Sequence, residues 1–213
     1  MSIRVWDPVV RICHWGMSVL LPLCWFSAEQ GEMEWHQTFA YLLAALLLTR
    51  LCWALVGSET ARFTHFVRSP VQVFRYLRHW RTPRQAHLGH NPAGGYMVLL
   101  LWGLLLLQWG SGLFSSDDIL TEGPLFASVS GAVSSALTWW HHLGFNLLLG
   151  AISLHLLAIL LYRWRGVALV PAMLHGKREL ATAQPHQASL WLAFGLLLGW
   201  LLGFGYWLIW PLW

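Results

Sequence analysis

The sequence predicts an all-α integral membrane helical bundle, and three observations carry that expectation. Hydrophobic residues make up 57% of the chain and charged residues only 10%, with a mean hydropathy of +0.53. A soluble domain carries about 25% charged residues. Five stretches are apolar enough to cross a bilayer, which takes about 20 residues of helix. Lysine and arginine gather in alternate connecting segments, on one side of those stretches.

The first span covers about 9–26, the second 35–56, the third 93–114, the fourth 138–162 and the fifth 190–210. The first has an arginine-bearing start, but Phe26 stands where a cleavage site needs a small residue, so the span is expected to be retained. Between the second and third spans, Ser69 caps and Pro70 opens a short helix. There Val71, Phe74, Leu77 and Trp80 recur with Arg75 and Arg78 between them, the pattern of a helix lying on anionic headgroups. Trp139, Trp140, Trp207, Trp210 and Trp213 fall at expected water–lipid boundaries.

Orientation follows from the cations. Arg4 and Arg11 precede the first span. Arg62, Arg68, Arg75, Arg78, Arg81 and Arg84 lie between the second and third, and Arg163, Arg165, Lys177 and Arg178 follow the fourth. The opposite side carries Glu29, Glu32, Glu34, Asp117, Asp118 and Glu122. The N-terminus is therefore expected in the cytoplasm and the C-terminus outside. The net charge of +4 reflects this topology, so lipid is the expected neighbour and nucleic acid is not. Cys13, Cys24 and Cys52 lie in apolar stretches and read as small buried hydrophobes. No Cys-x-x-Cys-His run occurs, which excludes covalently attached haem.

Ionisable residues inside a membrane are costly and mark function. His14 lies toward the cytoplasmic end of the first span, and His155 lies at that depth in the fourth. His36 and His141 open the second and fourth spans at the outer face. His141 and His155 are 14 residues apart (155 − 141), about 21 Å along a helix and nearly on one face. Depth pairs His36 with His141 and His14 with His155. Two stacked bis-histidine sites describe two b-type haems without an open axial position, which favours electron transfer. A lone membrane histidine is as readily an interhelical hydrogen-bonder; four that pair by depth are harder to explain that way. Gly144 and Ala151 lie near the same face and leave room for a porphyrin. His142 points about 100° away and is set aside as a ligand.

The run Trp6-Asp7-Pro8-Val9-Val10-Arg11-Ile12-Cys13-His14-Trp15 resembles the opening of the bacterial di-haem cytochrome b family, the cytochrome b561 class. That class includes the cytochrome b subunits of nickel–iron hydrogenases. The resemblance continues through His36, Arg50-Leu51-Cys52-Trp53-Ala54-Leu55-Val56-Gly57 and Gly89-His90-Asn91-Pro92-Ala93-Gly94. It then takes in Trp140-His141-His142-Leu143-Gly144, His155 and Pro171-Ala172-Met173-Leu174-His175-Gly176-Lys177-Arg178. The family's ligand pattern falls on His14, His36, His141 and His155. The resemblance implies a four-helix di-haem domain over residues 1–179 and a linker with an additional transmembrane helix over 180–213. Ala40 stands where the family often has glycine, and the outer loop between the third and fourth spans and the N-terminus are short for a hydrogenase docking surface.

The resemblance also implies electron exchange across a bacterial inner membrane, between quinone and an extracytoplasmic redox protein such as a c-type cytochrome. A self-contained oxidoreductase acting on a small reductant such as superoxide, and a hydrogenase cytochrome b subunit, are the alternatives. His90 is read as hydrogen-bonding a quinone carbonyl or a haem propionate, with Asn91 as the cap of the third span. Arg50 is read either as snorkelling to headgroups or as binding a propionate of the inner haem. Gly195, Gly199 and Gly203 recur four apart on the fifth helix, which covers the bundle, mediates homodimer contacts or binds a partner helix.

Overall fold

The computed structural model describes residues 2–79, 87–117, 119–180 and 183–213. Trp80, Arg81, Arg84 and Asp118, which entered the topology and interfacial-helix expectations, lie outside the described residues. The elements run β1 (Ser2–Arg4), α1 (Pro8–Glu29), α2 (Met33–Val56), α3 (Phe63–Phe66), α4 (Pro70–Arg78) and α5 (Pro92–Gly112). They continue as α6 (Gly131–Trp164), α7 (Leu169–His175), β2 (Lys177–Glu179) and α8 (Leu190–Phe204), which runs on through tighter and wider turns to Leu212. Five helices of 22, 24, 21, 34 and 23 residues are long and apolar enough to span a membrane: α1, α2, α5, α6 and the extended α8. The all-α membrane bundle is thus the observed architecture.

The Trp-Asp-Pro run is a joint. Asp7 Oδ1 accepts the Val10 N–H at 2.9 Å, capping α1, and Pro8 opens the helix without needing a donor. Asp7 Oδ2 accepts the Trp53 indole N–H at 2.8 Å, tying α1 to α2. Both side chains are buried. Asp7→Ala removes the cap and strands the indole N–H, at an expected cost of about 2–4 kcal/mol. A thermal melt of the detergent-solubilised variant checks this; an unchanged midpoint would show that the joint carries no stability.

A two-stranded ribbon lies beside the helices. β1 pairs antiparallel with β2, Ile3 opposite Arg178. The Val5 and Trp6 N–H groups then donate to Gly176 O at 2.8 and 3.0 Å. Gly176 has φ +77°, and a Cβ there would lie 2.5 Å from Trp6 O. Only glycine closes this turn. The Arg11 guanidinium donates to Leu174 O nearby. The segment after α6 thus clasps the start of α1.

α1 packs along α2 and α5 along α6, while α8 lies against α2. The two pairs meet more sparsely, through α2 and α5. Leu47, Phe66, Trp102 and Leu148 form the core there. α4 forms with the expected Ser69 cap, reciprocal with Gln72, and leaves Val71, Phe74 and Leu77 exposed. The glycines of α8 meet nothing within 4 Å of an added Cβ, so α8 packs on α2 through other residues, among them Phe204 against Tyr41.

α6 begins at Gly131, earlier than the apolar run at 138. Ser130 caps it, and the Ser134 hydroxyl donates to Phe114 O at 2.8 Å. Polar residues with side-chain partners carry the helix beyond the apolar stretch. His141 therefore lies inside α6, about three turns from its start, rather than at its opening.

Candidate cofactor site between the helix pairs

The four histidines meet in two pairs. His36 of α2 and His141 of α6 have ring centroids 6.2 Å apart, inclined by 78°. His14 of α1 and His155 of α6 have centroids 6.5 Å apart, inclined by 56°. Two imidazoles on opposite sides of one metal ion, each nitrogen about 2 Å from it, bring their centroids to roughly 6.3 Å. Both pairs match that spacing, at two depths along α6. Among the described residues no group of three or more His, Cys, Asp or Glu side chains gathers as a metal site. Each gathering is a pair of imidazoles.

The His36/His141 pair is oriented from behind. His36 Nδ1–H donates to Cys24 O at 2.8 Å, and His141 Nδ1–H donates to Gln108 O at 2.9 Å. A carbonyl only accepts, so each Nε2 keeps its lone pair for a metal. Ser111 Oγ lies 3.3 Å from His141 Nδ1. A Cβ on Gly112 would lie 2.9 Å from His141 Cε1, so this glycine makes room for the ring. The Gln108 Nε2 amide reaches His141 Nε2 at 3.1 Å, while its Oε1 is buried without a partner among the described residues. Metal binding would turn this side chain away from a position in which only half its polar groups are satisfied. The His14/His155 pair differs: His14 Nδ1 is buried and has no hydrogen-bond partner among the described residues.

Gln108, Ser111 and Gly112 were missed from the sequence. Their signal is polar and small residues one turn apart on an otherwise apolar helix. Gly144 is buried against α5, where a Cβ would lie 3.0 Å from Gln108 Oε1, so the room it leaves faces α5. Asn91 caps α5, its Oδ1 accepting the Gly94 N–H at 2.8 Å, and its Nδ2 donates to Tyr162 OH at 2.9 Å. Tyr162 OH in turn bonds Tyr76 OH, linking α6 to α4. Arg50 is 4% exposed, so it does not snorkel. Two of its nitrogens donate to Ala61 O at 3.3 Å, and its guanidinium lies 4.8 Å from the Trp102 ring centroid.

His90 lies before α5, its ring 4.6 Å from Trp6 and 5.5 Å from Phe66. Burial, then the Arg50 charge, pushes it down to about 3, so it is neutral. It lines a cavity of about 380 Å³ with His65, Arg68, Gln72, His87 and Pro92. His65 Nδ1 is buried there without a hydrogen-bond partner among the described residues. On the other side, Asp117 Oδ1 accepts the N–H groups of Ile119, Leu120 and Thr121 at 2.8–3.0 Å. The Thr121 and Ile119 amides hold its carboxyl down to about 2, so it stays ionised.

The family model described as prokaryotic cytochrome b561 matches residues 5–176. A protein named "probable Ni/Fe-hydrogenase B-type cytochrome subunit" from Bradyrhizobium diazoefficiens is 27% identical over 197 residues, covering 74% of this chain and 77% of its own. A protein of the same name from Rhizobium leguminosarum bv. viciae is 27% identical over 192 residues, covering 73% and 79%. No solved structure matches the chain significantly. The chain belongs to the prokaryotic cytochrome b561 family, and it is a multi-pass bacterial membrane cytochrome of the b type, serving electron transfer with haem b.

Proposed function

We propose that the chain holds two haem b groups, one between His36 and His141 and one between His14 and His155, and carries electrons across the membrane between quinone and an extracytoplasmic redox protein. The observation that carries this reading is the two histidine pairs, 6.2 and 6.5 Å apart, at two depths on one helix. A bis-histidine haem supplies one-electron transfer without an open coordination position. The chain supplies the rest. Cys24 O and Gln108 O fix the tautomers of His36 and His141. Arg50 keeps N–H groups for a propionate, since a guanidinium carries five donors and Ala61 O takes two. Residues 1–179 form the di-haem domain, and the linker and α8 over 180–213 add a further span.

The cation-rich side faces the cytoplasm in this reading, and the His36/His141 pair lies toward the outer face. Glu29, Glu32, Glu34, Asp117 and Glu122 are exposed there. They favour a partner with a basic surface, as many small c-type cytochromes have. The relatives' names support a redox complex as the setting.

The quinone headgroup occupies the cavity at the start of α5, with His90 donating to a carbonyl. Val71 and Phe74 are exposed on α4, the helix that brings Gln72 to the cavity, which supports access from lipid. His90→Ala is expected to slow quinol-driven haem reduction roughly ten-fold, the loss of one buried hydrogen bond. Stopped-flow spectroscopy in proteoliposomes reads this, with haem content as the control. An unchanged rate at full haem content would remove quinone from this cavity.

A further inference from the structure

We propose that two copies of the chain pair in the membrane through α6, along a seam of His142, Asn146, Leu149, Ser153, Leu156 and Leu160. These positions alternate in steps of four and three, the heptad spacing of two helices supercoiled about each other. All six are exposed in the isolated chain. The seam is turned about 120° around the helix from His141 and His155, and roughly 150° from Gly144, Leu148 and Ala151, which are buried on the side of α5. It belongs neither to the histidine pairs nor to the packing within the chain, so it stands independently of the proposed haem ligation.

Its polarity is what lipid does not explain. Asn146 lies near the middle of the 34-residue α6. Its Nδ2 donates to His142 O at 3.2 Å on its own helix, and its Oδ1 has no partner among the described residues. Such an amide facing hydrocarbon is costly, and a neighbouring helix relieves the cost. Ser153 satisfies itself by donating to Leu149 O at 2.9 Å and is small enough for close approach.

The occupant is a second copy because the seam is complementary to itself. Two copies inserted in one membrane share their orientation, so their α6 helices run parallel. In a parallel pair each seam position meets its own counterpart. An asparagine amide both donates and accepts, so Asn146 satisfies Asn146 of the second chain and fixes the register. The leucines then pack in the intervening layers. The open glycine face of α8 is a different surface and is not needed for this pairing.

Cysteine cross-linking in native membranes tests the proposal. Leu149→Cys and Leu156→Cys are each expected to give an oxidised species of twice the chain mass. Leu147→Cys and Leu154→Cys, also exposed but on another face, are expected to give none. The unsubstituted chain is the control for its own cysteines, Cys13 and Cys24 being buried and Cys52 half-buried. Asn146→Leu is expected to weaken dimerisation, measured by energy transfer between labelled chains in vesicles, roughly 3- to 20-fold. Cross-linking equal on both faces would overturn the proposal. So would a seam adduct with a different membrane protein, or association indifferent to Asn146→Leu.

Discussion

His141→Ala is expected to leave the purified chain with one haem b in place of two, and His155→Ala to remove the other. His36→Ala and His14→Ala reproduce the two losses from the opposite sides. The expectation rests on one helix serving two centres: α6 provides one ring to each pair, at 6.2 and 6.5 Å from its partner. Loss of one ring opens a coordination position in an apolar setting, where a b-type haem has no covalent attachment to retain it. The single-haem variants also separate the two potentials. The His36/His141 pair donates both Nδ1–H groups to backbone carbonyls, which makes the ligands more electron-rich. His14 Nδ1 has no such acceptor among the described residues. The haem left in His155→Ala should therefore titrate at a lower potential than the haem left in His141→Ala. Extracted haem per chain and a redox titration read both outcomes. Retention of both haems in His141→Ala would contradict the pairing.

Gly112→Val is expected to have nearly as large an effect without touching a ligand. A Cβ at this position already lies 2.9 Å from His141 Cε1, and valine adds two methyl groups. The ring cannot retreat freely, because its Nδ1 is held by Gln108 O. The His36/His141 haem should be lost or converted from low spin, while the His14/His155 haem stays intact. Electron paramagnetic resonance of the oxidised protein resolves the two. Equal disturbance of both haems would mean that the substitution had unfolded the bundle rather than displaced one ring.

The spans and the histidine pairs were legible because both depend on spacing that helix geometry fixes. Apolar runs of span length give the helices, and residues 14 apart on a helix return to one face about 21 Å deeper. Other parts lie outside that logic. The early start of α6 rests on the Ser130 cap and the Ser134–Phe114 bond, polar contacts that hydropathy does not read. The β1–β2 ribbon joins three-residue strands at distant points of the chain, too short to show a period. Gly144 was assigned to the porphyrin by its proximity to His141, but a helix has two neighbours, and this face turned to α5. Gln108, Ser111 and Gly112 are the reverse case, a polar and small face whose partner only the packing of α5 on α6 reveals. Much of the resemblance to the family likewise proves structural in its contacts: Asp7, Trp53 and Gly176 hold the bundle's end together.

The most direct test is to purify the chain in detergent, record oxidised and dithionite-reduced absorption spectra, and count extracted haem per chain. About two non-covalent haem b groups with the low-spin reduced bands of bis-histidine ligation are predicted. A single haem per chain would contradict one of the two pairs, and a colourless protein after haem supply would contradict the ligation altogether.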